Sequence, residues 1–118
     1  MKPEIRERLM SAKRLFVDVD DTLILWEKGS GGTTKWEPNH PIIAVVYSAQ
    51  RQGTDVTFWS LGGEKYAQDR VLECPITLSD RWAYESKWPR IPEPGDLFID
   101  DDPLPSFAAA TIHPREFE

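Results

Sequence analysis

Three short apolar runs, "LFVD", "VTFWS" and "LFID", each close on a polar residue: Asp18, Ser60 and Asp100. Apolar runs this short, bounded by polar residues, read as strands buried on both faces. Helical patterns separate them. Pro41 opens one helix, whose apolar face uses Ile42, Ile43, Val45 and Val46; Asn39 is its expected N-cap and Gly53 its stop. "GGEKYAQDRVLE" supplies another helix, and residues 4–13 a short amphipathic one around Ile5 and Leu9. "PITLS" is expected to add a third strand, residues 80–95 to be irregular, and "GDLFID" to form the fourth strand. Strands alternating with helices predict an α/β fold, a Rossmann-like, doubly wound parallel sheet. In such sheets the functional crevice lies beyond the carboxyl ends of the strands. Asp18, Ser60 and Asp100 are then delivered to one edge.

A chain of 118 residues can bury one core but not two, and no linker or repeat divides it, so one domain spans 1–118. Residues 1–13 read as an N-terminal extension. Residues 24–38 read as a hairpin flap, with Gly29, Gly31 and Gly32 turning the chain between arms that carry Trp26 and Trp36. No apolar run approaches the ~20 residues of a membrane span, and the first fourteen residues lack the apolar core of a secretory signal. With a single cysteine, Cys74, no intrachain disulfide can form, which points to a reducing, cytoplasmic setting. Cys74 has apolar flanks and no nearby His, the surroundings of a core residue. The net charge of −6 is local in origin. Six carboxylates sit in two groups, Asp18, Asp20 and Asp21, then Asp100, Asp101 and Asp102; without them the 20 acidic residues fall to 14, matching the 14 Lys and Arg. Non-specific nucleic-acid binding needs clustered positive charge and is not expected.

Known ligand motifs fail on inspection. An EF-hand counted from Asp18 would meet Thr22, Leu23 and Gly29 where it needs an acid or amide, a Gly and a Glu. There is no GxxxxGK[ST], and "SLGG" lacks the full dinucleotide fingerprint. His40 and His113 each sit beside a Pro, far from other ligand types, so a His-based zinc site is not expected.

The order of the parts is more specific than any one of them. "LFVDVDDTLI", then "VTFWS", then Lys87 in "ESKWP", then "LFIDDDP" resembles the four motifs of the haloacid dehalogenase (HAD) superfamily of aspartyl-phosphate-forming hydrolases. The resemblance covers roughly residues 14–105. Asp21 stands where Gly is common in that family, and the chain is too short for the large cap domain of many relatives. The resemblance therefore implies a small, capless, Mg²⁺-dependent phosphatase. Asp18 would be the nucleophile and Asp20 the acid and base, its backbone carbonyl also reaching the metal. Ser60 would hold a phosphoryl oxygen, and Lys87 would neutralise transition-state charge. Asp101 is the first choice for the remaining metal ligand, with Asp100 as its support or alternate. Thr22 would brace the loop.

The residue chemistry agrees with these roles. An anionic nucleophile must be screened from an anionic ester, and a hard cation held by oxygen ligands does so. Lys65 competes with Lys87 for the lysine role. Trp26 and Trp36 could pack on each other or wall the entrance; Trp82 and Trp88 read as packing residues. Two other functions compete. A catalytically silent metal-binding module could keep the same fold. A receiver-like phosphoacceptor domain would instead place Lys, not "DDD", on its last strand. The expected partner is a phosphorylated small molecule or macromolecule end; substrate identity and oligomeric state lie beyond the sequence.

Overall fold

Among the described residues, strand β1 (Arg14–Asp18) lies at the centre of a five-stranded, all-parallel sheet and has neighbours on both sides. The computed structural model describes residues 1–27, 35–74, 76, 81–87 and 91–118. From β1 the chain moves outward through β4 (Asp55–Ser60) to β5 (Ala83–Ser86). It then returns to the opposite side of β1 for β6 (Asp96–Ile99) and β7 (Thr111–Ile112), giving the order β5-β4-β1-β6-β7. Parallel crossovers are right-handed, so travel in opposite directions along a sheet places connections on opposite faces. The packing follows that rule.

Side chains alternate between faces along a strand. Leu15, Val17, Val56, Phe58, Leu97 and Ile99 pack in one cluster with the buried stripes of α2 (His40–Arg51) and α3 (Glu64–Glu73). The intervening Phe16, Trp59 and Phe98 form a second cluster, closed by Phe107 from the 3₁₀ segment Pro105–Ala110. The rings stack and tilt at centroid separations of 4.9–5.2 Å. Helix α1 (Pro3–Ser11) adds Ile5, with Leu9 half-buried, to the first cluster. Among the described residues the architecture is thus Rossmann-like α/β, with α1, α2 and α3 packed on one cluster and a short 3₁₀ segment on the other.

Strand β2 (Ile24–Trp26) pairs antiparallel with β3 (Trp36–Pro38), Trp26 opposite Trp36. These are the expected hairpin arms; the glycine turn between them lies outside the described residues. The stop at Gly53 is a Schellman arrangement. Gly53 adopts φ 87°, its N–H donates to the Gln50 carbonyl, and the Thr54 N–H donates to that of Ala49.

The structure departs from the sequence expectations at three places. The strand paired with β4 is β5, inside the stretch expected to be irregular. Within "PITLS" only Ile76 is described, and it belongs to no strand. An edge strand covered on one side, "AYES" is exposed or half-buried throughout and has no apolar run to announce it. Strand β7, only two residues long, was equally silent. Finally, Asn39 is the N-cap residue of α2 as expected, but its side chain makes no cap; its Nδ2 donates instead to the Thr22 carbonyl at 2.9 Å. No described helix is long and apolar enough to cross a membrane.

Candidate active site

The parallel register brings the polar strand ends together. Val17 pairs with Ile99, so Asp18 and Asp100 follow side by side; Ser60 pairs with Ser86, immediately before Lys87. All six candidate residues, Asp18, Asp20, Ser60, Lys87, Asp100 and Asp101, line one cleft of about 240 Å³.

Lys87 is its electrostatic centre. The ammonium lies 2.8 Å from Asp18 Oδ1 and 2.5 Å from Asp100 Oδ2, and 5.6 Å from the centroid of the Trp59 ring. All three charged groups are buried, with residue exposures of 6% or less. Ionised side chains are rarely buried unless paired, and such pairs seldom add stability over an apolar core. A cluster of this kind inside a cleft points to function. Lys65, the competing lysine, is 87% exposed at its side chain and pairs with Asp69 along α3, at 3.4 Å.

The loop after β1 is wound around the nucleophile candidate. The Val19 carbonyl accepts from the N–H groups of Leu23 and Ile24, each at 3.0 Å, which curls the chain back. Asp21 sits in the left-handed region at φ 57°. Asp is among the few non-glycine residues found there, so the position serves either residue. The curl lets the Thr22 hydroxyl donate to Asp18 Oδ2 at 3.0 Å. Thr22 is itself fully buried. Asp18 is therefore gripped at both oxygens, by Lys87 and Thr22.

Burial pushes the Asp18 carboxyl up to about 8; repulsion from Asp100 adds to this, and Lys87 opposes both. Burial also raises Asp101, with Asp100 again adding. For Lys87, burial alone would favour the neutral amine, but Asp18 and Asp100 outweigh it and raise the group. Fully ionised, the three carboxyls would carry more negative charge than Lys87 alone can balance.

Asp18, Asp100 and Asp101 each present a carboxylate oxygen, and these oxygens lie within 4.8 Å of one another. An all-oxygen, carboxylate-rich donor set fits a hard divalent cation such as Mg²⁺. Asp100 is braced at both oxygens, by Lys87 and by the Asp102 N–H at 3.0 Å. The Asp20 carboxylate stands outside this trio.

Instead, Asp20 Oδ1 accepts from Trp26 Nε1 at 2.9 Å and from the Tyr66 hydroxyl at 2.7 Å. Ser60 closes the far side of the cleft. Its hydroxyl oxygen accepts from the Gly62 N–H at 3.0 Å, and its carbonyl accepts from the Lys87 N–H at 3.1 Å. "SLGG" is therefore the β4–α3 turn. A Cβ on Gly62 would sit 3.0 Å from the Tyr66 ring and 3.3 Å from Ser60 Oγ, so the close approach favours glycine. A larger pocket of about 420 Å³ adjoins the cleft, sharing Asp21 and Asp101 with it; Trp26, Asn39, His113 and Arg115 supply other walls.

Tyr66, Arg70 and Asn39 were not singled out as site residues from the sequence. Tyr66 and Arg70 show only helical i,i+4 spacing, which places them on one face of a helix and gives no link to Asp20. Of the two hairpin tryptophans, expected to pack on each other or to wall the entrance, Trp26 lines the larger pocket, and both Trp26 and Trp36 pack against the main core. Trp82 is buried edge-on to Phe58, and Cys74 is buried. Trp88 lies outside the described residues. In comparisons with known proteins, no family model, curated protein or solved structure matches the chain.

Proposed function

We propose that this protein is a Mg²⁺-dependent phosphomonoester hydrolase of the HAD type, working through an aspartyl-phosphate on Asp18. The observation that carries the reading is the grip on Asp18 at a parallel-sheet carboxyl edge: a buried carboxylate held by Lys87 and Thr22, beside two further carboxylates. Asp18, Asp100 and Asp101 would hold the cation, with the Asp20 backbone carbonyl as a further ligand. When bound, Mg²⁺ screens the anionic nucleophile from the anionic ester and orients the phosphoryl group.

The chain's own groups account for the rest of the chemistry. An Asp18 oxygen attacks phosphorus while the ester P–O bond breaks, and Asp20 gives its proton to the departing oxygen. Asp20, now ionised, takes a proton from water as that water attacks the phosphorus of the aspartyl-phosphate. Inorganic phosphate leaves, and Asp18 is regenerated. Lys87 and the Ser60 hydroxyl stabilise the charge on the phosphoryl oxygens. The adjoining 420 Å³ pocket offers room for the alcohol portion of the ester.

The test is hydrolysis of an aryl phosphate with and without Mg²⁺. Wild type should turn it over only with the cation, and Asp18→Asn should abolish turnover because an amide cannot form the acyl-phosphate. Undiminished activity in that variant would overturn the mechanism. Mg²⁺ binding without hydrolysis across a phosphomonoester panel would favour the silent metal-binding module.

A further inference from the structure

We infer that Tyr66 and Trp26 are positioning residues that fix the rotamer of Asp20 for proton transfer to the leaving group. The inference rests on the hydrolase reading above. Both donors converge on the same oxygen, Oδ1: the Tyr66 hydroxyl at 2.7 Å from α3 and the Trp26 indole N–H at 2.9 Å from the hairpin. Among the described residues no hydrogen bond falls on Oδ2. With Oδ1 held as a double acceptor, Oδ2 is the oxygen left to carry the transferable proton in the cleft.

The two donors are themselves held. The Arg70 guanidinium carbon lies 5.1 Å from the Tyr66 ring centroid and 5.6 Å from that of Trp26, and Arg70 Nη1 donates to Glu73 at 2.9 Å. One cation packed over both rings, anchored one turn further along α3, ties the hairpin and the helix to a single carboxylate. Gly62 keeps the space in which the Tyr66 ring sits. An Asp side chain rotates about two bonds, and a proton donor misplaced by an ångström can lose on the order of 10²-fold in rate. The arrangement removes that freedom.

The consequence is selective. An ester whose alcohol leaves as a stable anion, such as a 4-nitrophenyl ester, has little need of the proton; a simple alkyl ester requires it. The ratio of kcat/KM for an alkyl phosphate to that for 4-nitrophenyl phosphate is therefore the diagnostic quantity. Because kcat/KM covers steps only through loss of the alcohol, hydrolysis of the aspartyl-phosphate does not enter. Tyr66→Phe, which removes one oxygen atom, should lower this ratio about tenfold, a fraction of the 10²–10⁴ available to general acid catalysis. Trp26→Phe should lower it in the same direction.

Placed in an Asp20→Asn background, Tyr66→Phe should change the ratio less than about twofold, because the group it positions is gone. Equal losses on both esters, or a full effect in the Asp20→Asn background, would make Tyr66 a merely structural residue and overturn the inference while leaving the hydrolase intact. A wild type that hydrolyses neither ester would overturn both.

Discussion

Asp18 is costly to the metal-free fold, and the cost has a pH signature. Its carboxyl is raised to about 8 in the folded protein, against about 3.9 in an unfolded chain. Below the lower value both states hold the proton, and the group costs nothing. Between the two values the folded state keeps a proton that the unfolded state has released, so stability falls as pH rises, levelling off above about 8. In chelator, the wild-type melting temperature should therefore decline between pH 5 and pH 8. Asp18→Asn, which cannot ionise, should flatten that part of the decline. Parallel profiles for the two proteins would mean that Asp18 is not the responsible group. The same residue thus connects burial, Lys87 and Thr22 to the proposed cation.

At the scale of elements, the two sheet faces are guarded unequally. Helices α2 and α3 cover one face with five and two buried residues respectively. On the other face Phe107, the only buried residue of its 3₁₀ segment, closes the aromatic layer, edge-on to Trp59 and Phe98. That layer underlies the site, since Phe16 and Asp18 share a strand face and Trp59 is the register partner of Asp18. Phe107→Ala should cost about 3 kcal/mol, the low end for a buried Phe because one edge of a short segment can relax. Urea denaturation measures it. A loss below about 1 kcal/mol would show that the segment collapses onto the cavity and that the second face needs no fixed cover.

At the scale of the whole molecule, binding should report on the assembled site without knowledge of a substrate. A cation that binds only the folded state, at ~100 times its dissociation constant, contributes about 2.7 kcal/mol. For a chain of this length that is on the order of 10 °C in melting temperature. Mg²⁺ should produce such a rise. Beryllium fluoride, which mimics a phosphoryl group on a carboxylate, should add a further increment that vanishes in Asp18→Asn. A Mg²⁺ response without the second increment would leave a metal-binding module; no response to saturating Mg²⁺ would count against either function.

The sequence by itself determined the α/β class and the placing of Asp18, Ser60 and Asp100 at strand ends. A strand buried on both faces must be continuously apolar, and its polar terminus then marks where the chain leaves the core. Such information is local, so it survives in a linear reading. The half-exposed edge strand Ala83–Ser86 and the two-residue Thr111–Ile112 leave no comparable trace, because their neighbours in the sheet define them. Only the tertiary structure decided that Lys87, and not Lys65, lies between Asp18 and Asp100: the choice depends on register across β4 and β5. It alone directed the side chain of Asn39, the N-cap residue of α2, to the Thr22 carbonyl. It alone joined Tyr66 to Asp20, 46 positions away, since a hydrogen bond between a helix and a loop exists only once both have been packed against the same sheet.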